Sequence, residues 1–144
     1  MKVKIKKLNQ EATIPEYATT GDAGLDLTAI SKTKPAQFTD GSIVYGTGLA
    51  IEIPEGYVGL LFPRSSISRY GLMLTNSVGV IDSSFRGEIQ LKFKPVGNYS
   101  PLEYGVGERV GQLIILPYPQ IELVEAQELS DSERGSGSYG STGQ

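Results

Sequence analysis

Short apolar runs, cut every few residues by turn-forming residues, extend along this chain and constrain its fold more than any other feature. They lie at residues 3–7, 43–45, 49–53, 57–62, 89–93, 109–116 and 121–124. In 3–7 and 89–93 apolar and polar side chains alternate, the period of a strand buried on one face. The 18 Gly and 8 Pro are spread between the runs, as in domains built of many short strands. Pro54-Glu55-Gly56 and Pro95-Val96-Gly97-Asn98 read as turns. Leu113-Ile114-Ile115-Leu116 is continuous and apolar and predicts a central strand buried on both faces. One short helix is expected near 65–70. The prediction is an all-β sandwich, barrel or jelly roll.

At 144 residues the chain is one domain with a sizeable core. A net charge of −3 gives no general electrostatic case for nucleic acid. No apolar run is long enough to span a membrane. The Lys-rich N-terminus lacks the apolar stretch of a signal peptide, so a cytoplasmic location is the expectation. From about residue 130 the composition turns to Gly and Ser. This divides the chain into a β domain, 1–129, and a flexible arm, 130–144.

Two absences narrow the chemistry. With no Cys there is no thiol nucleophile, disulfide or thiolate zinc site, and with no His there is no imidazole base. Acid–base work falls to carboxylates, Lys, Arg, Tyr, Ser and backbone. A metal would be a hard, oxygen-liking ion such as Mg²⁺.

Four segments and the arm carry polar groups where chemistry is possible. Residues 79–87 read as a Gly-bounded turn between apolar runs, a hairpin presenting Asp82 and Phe85 at its tip. Alone it reads first as an ordinary β-turn with Asp at a turn position. Pro63-Arg64-Ser65-Ser66 follows a strand and opens the expected helix. Ser65 or Ser66 would cap it, or its N–H groups and Arg64 would hold a phosphate. Gln112 lies at a strand entrance, either aimed at a phosphate or simply polar there. Asp22 and Asp26 sit in a Gly-rich segment, as turn residues or as carboxylates orienting water on Mg²⁺. Asp22 is the more turn-like of the two. In the arm, Arg134 and Tyr139 offer a cation and a stacking ring.

The five segments, 23–27, 63–66, 79–87, 107–112 and 134–143, resemble in order and spacing the five motifs of the trimeric dUTP diphosphatases (dUTPases). The resemblance covers nearly the whole chain. It implies a jelly-roll homotrimer, with sites shared between subunits, that cleaves dUTP to dUMP and pyrophosphate with Mg²⁺. By that resemblance Asp82 matches the base that activates water, and Asp26 the carboxylate reaching Mg²⁺ through water. Arg64, Ser65 and Ser66 match phosphate ligands, and Gln112 a ligand near the α-phosphate. Asn76, Gly79 and Val80 match the hairpin that reads uracil, and Phe85 the ring beneath the deoxyribose. Arg134, Tyr139, Gly140 and Ser141 match the closing arm. The chain departs from the family where Phe85 is commonly Tyr, Ser66 commonly Gly, Gly111 commonly Ala and Tyr139 commonly Phe.

The related dCTP deaminases share the fold, and Arg64 to Leu72 resembles their signature. Aligned onward without gaps, the resemblance puts Lys92 at the deaminase's catalytic Glu and Val80 at its Arg, leaving deamination without an acid–base. A nucleotide-sensing or structural jelly roll without activity is expected to lose Asp82 or the arm, and both are present.

Overall fold

The computed structural model describes residues 1–97 and 102–138. Ten strands and one short helix make up its regular structure. The strands are β1 (Lys4–Lys7), β2 (Leu25–Thr28), β3 (Ser31–Thr33), β4 (Ile43–Gly46), β5 (Leu49–Glu52), β6 (Tyr57–Phe62), β7 (Leu72–Leu74), β8 (Gly79–Ile81), β9 (Gln90–Pro95) and β10 (Arg109–Pro117). A five-residue 3₁₀ helix, Ser65–Arg69, follows β6.

All pairings are antiparallel. One four-stranded sheet runs β2-β10-β6-β8, a second β3-β4-β9-β7, and β1 pairs with β5 as a two-stranded ribbon. Alternation sends Leu27, Leu61, Ile81 and Leu113 inward from the first sheet, and Ile43, Tyr45, Leu91 and Phe93 inward from the second. These side chains form one buried cluster. Tyr45, Phe93 and Tyr104 meet with ring centroids 5.8–5.9 Å apart, giving the centre an aromatic knot. This is the expected all-β architecture.

Four expectations change. β10 is central, flanked by β2 and β6, but it is not buried on both faces: Ile114 and Ile115 are half-buried and Leu116 is exposed. Residues 121–124 form no strand; Ile121, Leu123 and Val124 stand exposed, with no strand alongside. Residues 79–87 are not a single turn. β7 does pair with β9, but Gly79–Ile81 between them crosses to the other sheet and pairs with β6. Neither Ser65 nor Ser66 caps the helix; Arg64 occupies the cap position, with no side-chain cap hydrogen bond.

After β10 the described chain, 118–138, has no helix or strand, and every residue from Leu116 to Ser138 is exposed. Among the described residues no helix is long and apolar enough to cross a membrane.

Candidate active site

Two clefts gather the residues singled out in the sequence. The first, about 310 Å³, is lined by Asn76, Gly79, Val80, Asp82 and Phe85 together with Leu61, Glu88 and Gln90. Its wall is made by the route of the chain. β7 turns at Asn76-Ser77, where Ser77 takes φ 61°, before β8 docks on β6. A Cβ on Gly79 would lie 2.9 Å from Leu61, so this close approach of backbone to β6 needs glycine. Asp82 follows β8 directly and is exposed, with its carbonyl accepting from the Phe85 amide at 3.1 Å. The Phe85 ring lies over the Gly87 backbone, where a Cβ would collide with it.

The second cleft, about 390 Å³, is lined by Asp22, Gly24, Asp26, Arg64, Ser65, Arg109 and Gln112, with Ala18, Ala23 and Ile114. β6 delivers Arg64 across the end of β10 to β2. There its Nε donates to Asp26 Oδ1 at 2.8 Å, and Arg109 Nη1 donates to Asp26 Oδ2 at 2.9 Å. Gln112 lies opposite Asp26 in the ladder and donates through Nε2 to the Pro63 carbonyl at 3.3 Å. Its carboxamide packs under Gly24, where any Cβ would collide with it. Asp22 serves a turn: the Thr19 hydroxyl and amide both donate to it at 2.8 Å and hold its carboxyl below the ordinary range. Ser66 lines neither cleft and lies beside the buried Tyr104 hydroxyl.

Three of the polar segments therefore meet in one cleft, and the Asp82 segment forms another. The sheet order puts β2 and β8 at opposite edges, with β10 and β6 between them. Three strand spacings, roughly 14 Å, separate the edge that carries Asp26 from the edge that leads to Asp82. Arg134 lines neither cleft; its Nε donates to the Gly137 carbonyl at 3.0 Å within a local turn. Tyr139, Gly140 and Ser141 lie outside the described residues.

Three residues in these clefts had no role assigned from the sequence. Arg109 shares Asp26 with Arg64; Glu88 and Gln90 line the Asp82 cleft, linked by a 2.8 Å hydrogen bond. Alternation along 88–93 gave the signal for Gln90, since it marks that side chain as outward-facing. Nothing in the local sequence marked Arg109.

Comparison with known proteins agrees with this geometry. A dUTPase family model matches residues 10–143. The chain is 45% identical to the deoxyuridine 5'-triphosphate nucleotidohydrolase of Nautilia profundicola, with 99% of each covered. It is 41% identical to that of a Hydrogenobaculum species, again with 99% of each covered. A point mutant of the dUTPase of Staphylococcus bacteriophage 80alpha, solved with dUpNHpp, superposes with a TM-score of 0.85 at 29% identity over 99% of both chains. The chain belongs to the dUTPase family.

Proposed function

We propose that the protein is a dUTP diphosphatase that works as a homotrimer, each site combining the Asp82 cleft of one subunit with the Arg64 cleft of another. The observation that carries this reading is the division of the motif residues between opposite edges of one sheet. Uracil and deoxyribose lie in the first cleft, against the Gly79–Val80 backbone, Asn76 and Phe85. The phosphates lie in the second, held by Arg64, Ser65, Ser66 and Gln112. The arm, with Arg134, Tyr139, Gly140 and Ser141, closes over both.

Asp82 accepts a proton from water as the water oxygen bonds to the α-phosphorus. The bond from that phosphorus to the bridging oxygen breaks, and pyrophosphate leaves. Arg64 and Ser65 offset the charge that builds on the phosphate oxygens. Asp26 fits a Mg²⁺ site of the kind completed by waters and substrate phosphates: each of its oxygens accepts one guanidinium N–H and keeps a lone pair for a metal-bound water. The ion, when bound, neutralises and orients the triphosphate. A phage phi11 dUTPase mutant was solved with a structural Mg(II) ion.

The test is incubation with dUTP, dCTP, dTTP, dATP and dGTP, measuring pyrophosphate. Rapid release from dUTP alone is expected, because a site built to pair with uracil rejects cytosine's mismatched donor strongly. Comparable kcat/KM for dCTP refutes the assignment.

A further inference from the structure

Arg109 reaches the phosphate cleft only because β10 is irregular. Side chains along a strand alternate between faces, so residues three apart point opposite ways. Arg109 and Gln112 are three apart, yet both line the same cleft. The register against β2 explains this. Arg109 faces Thr28, Gly111 faces Leu27 and Gln112 faces Asp26, so two steps on β10 match one on β2. Val110 is the extra residue of a β-bulge, and Val110 and Gly111 are buried consecutively where alternation would expose one of them.

The bulge leaves a residue outside the ladder, and what it gains is the position of one guanidinium. That gain is not explained by stability. The Arg109 side chain is 54% exposed and Asp26 already pairs with Arg64; a second, exposed ion pair contributes little. The donor count points elsewhere. Each guanidinium carries five N–H donors and spends one on Asp26. Both arginines share the one Asp26 carboxylate beside Ser65 and Gln112, while the cleft's other carboxylate, Asp22, is taken up by Thr19 in its turn.

We propose that Arg109 is a second phosphate-binding arginine of this site, contacting the triphosphate directly with the donors that Asp26 leaves free. This rests on the reading of the cleft as the phosphate half of a dUTP site. Asp26 then aims both guanidinium groups, and the bulge is the device that brings the second one round. The competing role for Arg109 is structural: tying β2 to β10 through Asp26 without touching substrate.

A double-mutant cycle separates the two. Binding of a non-hydrolysable dUTP analogue and of deoxyuridine, which has no phosphate, is measured on full-length wild type, Arg109→Gln, Asp26→Asn and the double variant. Arg109→Gln should weaken the analogue about tenfold or more, the scale of a hydrogen bond to a charged group, and leave deoxyuridine within about twofold. The same substitution should cost about tenfold again in the Asp26→Asn background, where the ion pair no longer exists. A loss under about twofold in that background overturns direct contact and leaves Arg109 structural. An equal loss for deoxyuridine overturns it too. If Arg109→Gln alone does not fold, the comparison of Asp26→Asn with the double variant decides, since neither leaves an unpaired carboxylate. Should wild type bind the analogue no better than deoxyuridine, the phosphate-site reading itself fails. Wild type that hydrolyses dUTP beside an unimpaired Arg109→Gln refutes this proposal alone.

Discussion

Gly111 is the position where substituting the residue common in the family should harm this chain. It lies on β10 with its backbone packed against β9 and β6. An added Cβ would overlap the Leu91 side chain and lie 2.9 Å from the Phe62 carbonyl oxygen. Leu91 is 1% exposed and tightly surrounded, and the Phe62 oxygen belongs to the β6–β10 ladder. Forcing an extra methyl into such a core costs about 1–3 kcal/mol. Alanine returns about 0.4–1 kcal/mol by restricting the unfolded chain. Gly111→Ala should therefore destabilise the protein by about 1–2 kcal/mol and lower Tm by roughly 3–8 °C. The assay is thermal unfolding of wild type, Gly111→Ala, Leu91→Ala and the double variant. Leu91→Ala alone should cost about 2–5 kcal/mol. In that background the part of the Gly111→Ala penalty due to Leu91 should disappear, leaving the smaller part due to the Phe62 oxygen. A Gly111→Ala protein as stable as wild type, or an equal penalty in both backgrounds, refutes the steric reasoning.

Asp82→Asn should lower kcat about 10²–10⁴-fold and largely keep analogue binding; near-normal kcat removes Asp82 from the mechanism. Truncation before Arg134 should leave a folded, nearly inactive trimer, and mixed trimers of truncated and Asp82→Asn chains should regain activity. No activity at any ratio, with mixed trimers confirmed by mass, refutes the shared site. Tyr45 is fully buried, and burial pushes its hydroxyl up to about 12 from 10.0. The fold favours the protonated form, so that stability is intact below pH 10 and is lost as pH rises through about 12. Urea midpoints across that window should fall less for Tyr45→Phe than for wild type; parallel slopes refute the assignment.

The longer strands were legible because each is a largely apolar run bounded by turn-forming residues, and β9 also alternates. β6 occupies 57–62, and β10 ends one residue beyond its expected 109–116. β3 and β8 are three residues each, too short for alternation to register, and β2 lies in a Gly-rich segment that reads as a turn. Ile121–Val124 has strand composition, but composition does not supply a partner strand. Each site segment was readable as a pair of alternatives, and the structure distinguishes the two aspartates of one of them. Asp22 is drawn into a turn by Thr19, while Asp26 faces Gln112 across a ladder and takes two arginines. Arg109 stayed hidden because alternation assigns it to the face opposite Gln112, and only the pairing with β2 reveals the extra residue.

That bulge also sets how this half of the site can be lost by mutation. Which face a strand residue occupies is a matter of odd or even count, and no substitution changes a count. Amino-acid replacements near Val110 alter packing but leave Arg109 and Gln112 on one face for as long as the extra residue remains. Deleting the Val110 codon removes the extra residue and restores regular alternation, and it leaves Arg109 and Gln112 two positions apart, still on one face. A single-residue insertion between the two that leaves the bulge in place would instead send one of them to the opposite face. The pair therefore survives the joint loss of the bulge and its residue, and is broken by the loss of either one alone.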